Sequence, residues 1–410
     1  MTTTNTFNNG VKVIAEAALA VLEEDATFVK QVYKDTKMFG DKGDLKHGDT
    51  GFIKVPGFGT RHSGALAVPD GLNSTTVPIQ MKQWNSSLLI NQSEMSFNVT
   101  EDLKDLLRPN VASLINGIDT DLWALAADCA ILAGTSGTYP ADVLPFAQAK
   151  AKIHMLSGVT DDGTFKSVMH PMHAPTVING LKALQNPVDD ITKQYRLGKL
   201  GRVGNIAFSE DRNAGSLAFT GATYAGSGVM NGSTADGAVQ IVTDGWTGGT
   251  ATTFRRGDTV TCAGVYAVDP VSKASTGILY PMVVKETCTA DGSNNLTLKI
   301  VNALVLTGPN QNVSALPADG QAITVYTATG VTPYGTSLVF HPTAFAFAST
   351  PVSKFPDLPC SIAYSDDLGI SIMASAGSNI MTGTTLYRLD VNYAVARNTA
   401  RPFLCGRVIG

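Results

Sequence analysis

Few residues in this sequence combine the types and the spacing that chemistry requires. His170 and His173 are three positions apart and could offer two nitrogen ligands to a metal ion. Pro171 lies between them and no HExxH glutamate accompanies them, so the spacing favours a structural histidine pair. Ser209 lacks the GxSxG turn that presents a hydrolase nucleophile. We therefore expect no catalytic, cofactor-binding or metal-ligating residues.

The glycines and paired carboxylates have equally plain interpretations. Gly198, Gly201 and Gly204 recur every three residues before a predicted strand, whereas a dinucleotide-binding loop precedes a helix. The spacing therefore predicts a turn. Asp189-Asp190 and Asp366-Asp367 are adjacent in the chain, so their side chains point to different sides and are typical of solvated loops or helix caps. An enzyme with an inserted lid is a possible alternative that no motif supports.

The composition points to a chain that buries surface against partners. Only 16% of the 410 residues are charged, while 44% are hydrophobic and Gly alone accounts for 40. A charge is costly to bury in an interface, and about 25% of the residues in ordinary globular domains are charged. The net charge of −4, without a run of Lys or Arg, argues against phosphate-driven DNA binding. This length predicts two or three domains.

The cysteines and the first residues indicate a reducing compartment. The odd number of five scattered cysteines contains no CxxC pair, so we expect no disulfide framework. Residues 1–10, MTTTNTFNNG, lack a basic segment followed by an apolar one. Lys12 and Glu16 interrupt the first apolar stretch, so it predicts neither a signal peptide nor a membrane span.

Helical periodicity is clearest in two regions. Residues 7–24 place one apolar stripe on a helix, which could pack on its own domain or dock on a neighbouring subunit. Residues 100–134 predict a short helix broken at Pro109 and a longer one that runs until Gly134. An α/β block follows, with helices at 145–156 and 175–184 and a strand at 166–169 between them.

Two regions read as strands. Residues 40–92 predict a long two-stranded excursion with little apolar mass, which is marginal by itself and needs a surface to lie against, most simply an adjacent subunit. Residues 216–335 contain short alternating strands separated by Asp-Gly turns and predict a small closed β-barrel. The α/β pattern returns at Leu338. We expect the strand that contains Leu338 to lie beside the strand that contains Phe208, after which the α/β pattern was interrupted.

Four stretches resemble, in the same order, the coat proteins of short-tailed phages of the Salmonella type. They are GDTGFIKVPGFGT (48–60), YRLGKLGRVGNIAFSE (195–210), GDTVTCAGVYAVDPVSKASTG (257–277) and the tail from YRLDVNYAVA to GRVIG. The resemblance implies an α+β fold of the tailed-phage capsid type, divided as follows: an N-terminal arm at 1–39, an extended loop at 40–92, a spine helix and peripheral domain at 93–160 with parts of 340–410, an axial domain beginning at 161–215, an inserted β-barrel at 216–335, and the axial and peripheral return at 336–410.

The resemblance also implies a function. A major capsid protein would assemble into hexamers and pentamers with a scaffolding protein, a portal protein at one vertex and a possible decoration protein, within the host bacterial cytoplasm, and the shell would later expand. It would need no cofactor, no membrane and no sequence-specific nucleic acid. A β-rich adhesin or carbohydrate-binding surface protein is the alternative. We predict that the subunits meet through apolar side chains of the first helix and the extended loop: Val11, Ile14, Leu19, Leu22, Phe52, Phe58 and Trp84.

Overall fold

A computed structural model describes residues 6–34, 48–59, 74–91, 102–135, 137–159, 163–180, 200–216, 222–326, 335–354, 358–379 and 381–410. The described helices are α1 (Thr6–Asp25), α2 (Asp102–Ala126), α3 (Leu144–Ser157) and α4 (His173–Gly180). With many short strands and few helices, the chain has the predicted α+β fold.

The first fourteen described strands are β1 (Tyr33–Lys34), β2 (Thr50–Pro56), β3 (Ser74–Gln80), β4 (Lys82–Asn91), β5 (Ile131–Gly134), β6 (Lys166–Met169), β7 (Arg202–Val203), β8 (Ile206–Glu210), β9 (Gly226–Met230), β10 (Ala238–Trp246), β11 (Thr253–Phe254), β12 (Thr259–Cys262), β13 (Tyr266–Val268) and β14 (Ser275–Leu279). The others are β15 (Met282–Val283), β16 (Cys288–Thr289), β17 (Leu296–Leu304), β18 (Ile323–Val325), β19 (Thr336–Phe340), β20 (Phe345–Ser349), β21 (Cys360–Ser365), β22 (Ile370–Asn379), β23 (Thr384–Arg397) and β24 (Cys405–Ile409).

The chain divides into two compact units. The first consists of Met1–Ile53, Val77–Leu122 and Phe345–Arg397, and the second of Lys54–Thr76, Trp123–Ala344 and Asn398–Gly410. Each unit is therefore built from segments that are distant in sequence.

A six-stranded sheet organises the first unit. Its order is β1-β20-β23-β22-β21, and β4 pairs with β23 over the whole of its length. The long strand β23 is central because β22 pairs with one of its edges, while β4 and β20 share the other. The strand β4 belongs to the extended loop predicted at 40–92. This part of the loop therefore pairs with a strand of its own chain and does not depend on an adjacent subunit.

Helix α1 packs on β21 and β22 of this sheet. Its apolar stripe is buried there: Val11, Ile14 and Leu22 are at most 3% exposed, whereas Leu19 is half-buried. The sequence left open whether this stripe packs on its own domain or on a neighbouring subunit. In the structure it packs on its own domain.

One carboxylate connects three elements of the first unit. Asp121 on α2 accepts hydrogen bonds through Oδ2 from the Tyr393 hydroxyl of β23 at 2.9 Å and from Lys82 Nζ of β4 at 3.0 Å. Burial, together with the hydrogen bond to Asp121, raises the pKa of Tyr393. The phenol therefore stays protonated and remains a donor to the carboxylate.

Helix α2 differs from its prediction at two points. It continues through Pro109 and ends at Ala126. A proline removes only one hydrogen bond and can be accommodated by a kink, so the predicted break does not occur. Residues 131–134 form β5, which pairs in parallel with β24. A short apolar run fits a buried strand as well as a helix, which is why periodicity misassigned it.

A second six-stranded sheet, in the order β5-β24-β19-β6-β8-β7, lies in the second unit. Helix α3 packs against β5, β24 and β19 and ends at Gly158, which has φ of 65°. A left-handed φ is accessible to glycine at little cost, so Gly158 ends the helix as predicted. Strand β6 separates β19 from β8, so Leu338 and Phe208 share the sheet but are not on adjacent strands.

Two three-stranded sheets of residues 226–325 join into a closed ring. One sheet has the order β17-β10-β9 and the other β15-β12-β18. The β-bridges Val229↔Ala322 and Val284↔Ile300 connect them at both edges. However, the side chains inside the ring and those of α3 belong to one continuous hydrophobic core. The prediction of a separate inserted domain is therefore not confirmed.

One disulfide departs from the expectation that the five cysteines form no disulfide framework. Cys129 and Cys405 form a disulfide, and both are buried in the second unit. They are 276 positions apart in sequence. Only the tertiary fold brings them together, since no spacing motif connects them.

Candidate assembly surfaces

The residues that could have supported catalysis have structural roles. His173 is fully buried, with its Nδ1 2.8 Å from Ser337 Oγ, and its ring centroid lies 5.5 Å from that of His170. The Ser209 hydroxyl donates to the Ser167 carbonyl oxygen at 3.2 Å. Among the described residues, no group of three or more His, Cys, Asp or Glu is arranged to hold a metal ion.

The predicted glycine turn is a hairpin turn. Gly204 and Asn205 have φ of 58° and 64° between β7 and β8, as a two-residue turn of this kind requires. Gly201 also has positive φ, while Gly198 and Asp189-Asp190 lie outside the described residues. The turn connects two strands and presents no helix N-terminus to a phosphate.

The seven predicted contact residues fall into three groups. Val11, Ile14 and Leu22 are buried within their own chain, and the half-buried Leu19 lies on the same helix, so a role for these four in subunit contacts stays a prediction. Phe52 and Trp84 are about half exposed on β2 and β4. Phe58 is half-buried, and the guanidinium carbon of Arg401 lies 4.4 Å from its ring centroid.

The first unit also exposes apolar side chains that the sequence did not single out. Leu89 on β4 and Leu386 on β23 are cross-strand partners, and both are exposed. Met381, in the turn between β22 and β23, is 94% exposed. A methionine beside the turn residues Thr382 and Gly383 was the available signal, because a turn tip rarely finds cover within its own chain.

The second unit exposes apolar residues on the barrel strands and near them. They are Val239, Val242, Tyr266, Val271 and Tyr326. Single exposed apolar side chains are normal on soluble proteins, so exposure alone assigns them no function.

A large part of the chain matches a known protein family. Residues 216–409 match the family of the P22 coat protein, gene protein 5. The chain is a phage major capsid protein. The match covers close to half of the chain and includes two of the stretches that carried the resemblance, 257–277 and the tail. Among curated proteins, none matches the sequence.

Several solved structures are similar to this chain over most of its length. One from Mycobacterium phage Che8 has a TM-score of 0.45 and 11% identity, with 93% of this chain and 90% of that chain covered. The capsid of Ralstonia phage GP4 has a TM-score of 0.42 and 8% identity, with 94% of this chain and 92% of that chain covered. A virus-like particle from Pyrococcus furiosus has a TM-score of 0.41 and 6% identity, with 96% of this chain and 97% of that chain covered. With TM-scores below 0.5, these likenesses add nothing to what the family match shows.

The family assigns this capsid protein a structural role, self-association into capsid oligomers, and a place in the virion. The β-rich adhesin alternative is not favoured. Among the described helices, none is long and apolar enough to cross a membrane.

Proposed function

We propose that this capsid protein assembles in the host bacterial cytoplasm into hexamers and pentamers of an icosahedral shell. A scaffolding protein directs assembly, a portal protein occupies one vertex, and a decoration protein is a further candidate partner. The shell later expands as DNA enters. The match of residues 216–409 to a coat protein family is the observation that carries this proposal. Closed symmetry then follows from repeated modest contacts between identical copies.

The exposed apolar residues of the first unit are the proposed contact points. Trp84, Leu89, Leu386 and Met381 expose between 43% and 94% of their surface. Aromatic side chains and methionine are enriched at protein interfaces, and the two leucines lie beside each other across the strand pair. We therefore place subunit contacts on β4 and on the end of the β22–β23 hairpin, instead of on the α1 stripe.

Assembly with the scaffolding protein of its own phage tests the proposal. Negative-stain electron microscopy and sedimentation should show closed shells for the wild type, while Trp84→Ser and Met381→Ser should lower shell yield severalfold. Lys12→Ala, on the exposed side of α1, is the control and should assemble normally. Wild-type chain that stays monomeric would refute the function. Full shell yield from both variants would refute the contact points alone.

A further inference from the structure

One side chain holds the end of the extended loop in place. We call β2 and β3 the arm and residues 55–58 the arm end. The guanidinium of Arg401 lies over the ring of Phe58, 4.4 Å from guanidinium carbon to ring centroid. Its Nη2 donates a hydrogen bond to the Pro56 carbonyl oxygen at 3.2 Å. Arg401 therefore holds the arm end by its backbone and by its aromatic ring at once, as a planar guanidinium can.

The surroundings of Phe58 and Arg401 are built to receive the arm end. At Gly158, a β-carbon would be 3.0 Å from Val271, 3.1 Å from Pro270 and 3.5 Å from Phe58 Cζ, so glycine leaves room for these side chains. The Arg401 backbone N–H donates to Asn398 Oδ1 at 3.2 Å. All these residues belong to the second unit. The arm end is thus seated in a formed site, and Arg401 is fixed by its own turn.

The arm is a two-stranded hairpin with few buried side chains. Along β2, side chains alternate between exposed and half-buried, and Val77 and Ile79 are the buried members of β3. Two paired strands without a third are marginal in water. The position of the arm end therefore depends on contacts outside the hairpin, which include those that Arg401 makes with Pro56 and Phe58.

We propose that Arg401 and Phe58 form a latch that stores the arm on its own chain and must open before the arm can bind a second copy. This step rests on the proposed assembly function. Phe52, which is 52% exposed, shows that the arm offers a further aromatic to such a partner. A contact within one subunit and a contact between subunits that use the same segment compete, so the inner contact sets how often the arm is available.

Hydrogen exchange on the full-length, unassembled chain tests the latch. Peptides that cover β2 and β3 should exchange about tenfold faster in Arg401→Gln and in Phe58→Leu. The double variant should exchange no faster than Arg401→Gln alone, because that change already removes the ring contact that Phe58→Leu removes. Unchanged exchange in both single variants overturns the latch.

A matched control lies in the same unit. Lys150 Nζ is 5.5 Å from the Phe165 ring centroid, so Lys150→Gln removes a comparable cation–π contact elsewhere. It should leave exchange in the arm unchanged. Faster exchange that extends to β19 and β24 in the Arg401 and Phe58 variants would reflect a general loss of stability and would also overturn the latch.

The rate of assembly tests the release step separately. With the scaffolding protein of its phage, Arg401→Gln should assemble severalfold faster by light scattering, because its arm is already free. An equal or slower rate in a variant with an open arm overturns the release step. Failure of the wild type to assemble overturns the proposed function, while the exchange result on the latch still stands.

Discussion

Arg407 and His173 are buried side chains of the second unit that can carry a charge. Arg407 on β24 is fully buried, and its Nη2 donates to the Gly257 carbonyl oxygen at 2.7 Å and to Thr259 Oγ1 at 3.0 Å. It thereby connects the α/β sheet to a strand of the ring. His173 is also buried, and its surroundings disfavour its protonated, charged form.

We predict that acid destabilises the chain through His173. Burial, with a smaller repulsion from His170, lowers the pKa of His173 from 6.5 to about 4. Between these two pKa values, His173 binds a proton in the unfolded chain but not in the folded chain. The free energy of unfolding is therefore highest above pH 6.5. It falls as the pH drops towards 4, by roughly 3 kcal/mol in total, since one pKa unit corresponds to about 1.4 kcal/mol.

Denaturant titrations between pH 7.5 and 4.5 measure this loss. His173→Asn should flatten the pH dependence, although it also lowers stability at neutral pH. His154→Gln, at an exposed position on α3, is the control and should keep the wild-type slope. A wild-type slope in His173→Asn would contradict the prediction.

At the scale of elements, each helix and strand is defined by the surface that it covers. The stripe on α1 illustrates this, since periodicity located it and packing on β21 and β22 determined its use. Similarly, β10 is defined by Trp246, which is buried inside the ring against Phe254, with 5.2 Å between the ring centroids.

We predict that α1 tolerates a charge only on its outer face. Ile14→Asp places a carboxylate in a site that is 3% exposed and should cost about 3 kcal/mol or more of stability. Val13→Asp, one residue earlier and 50% exposed, should change stability by less than about 0.5 kcal/mol. Thermal unfolding followed by circular dichroism compares them, and equal melting temperatures would show that the stripe is not buried.

The seat of Trp246 gives a second prediction for an element. A β-carbon at Gly228 on β9 would be 2.1 Å from Trp246 Cζ2. Gly228→Ala should therefore displace the indole and cost about 2 to 3 kcal/mol by overpacking. Gly292→Ala, whose β-carbon would meet nothing within 4 Å, is the matched control. Tryptophan fluorescence and urea unfolding should separate the two variants, and equal unfolding midpoints would argue against the tight packing of β9 on β10.

At the scale of the whole molecule, segments distant in sequence are joined. The second unit closes through β24 and the Cys129–Cys405 disulfide, whose Cα atoms are 5.7 Å apart. We predict that the denatured, unreduced chain presents three thiols to a thiol reagent, those of Cys262, Cys288 and Cys360, and all five after reduction. Five thiols without reduction would contradict the pairing.

Reduction should also lower the stability of the chain. A cross-link across so long a loop restricts the unfolded state, by on the order of 5 kcal/mol in the chain-entropy estimate. Thermal unfolding with and without a reductant measures the loss. Cys262→Ser, at a buried cysteine outside the disulfide, controls for the removal of a thiol and should leave the effect of the reductant intact.

Local pattern by itself determined the elements whose residues are neighbours in sequence. The strand predicted at 166–169 is β6, and the helix predicted at 145–156 lies within α3. Their signals are periodicity, turn residues and apolar runs, all of which act within a few positions. The stretch 257–277 also carried a resemblance to a family that the match at 216–409 confirms.

Tertiary structure decided which surfaces meet. Whether the α1 stripe faces its own sheet or a neighbour, how the two barrel sheets close, and which cysteines pair all depend on contacts between segments far apart in the chain. The extended loop shows the reason most directly, because its strands have the same alternating pattern whatever covers them. An apolar face specifies that it must be buried, while the folded chain around it specifies by what.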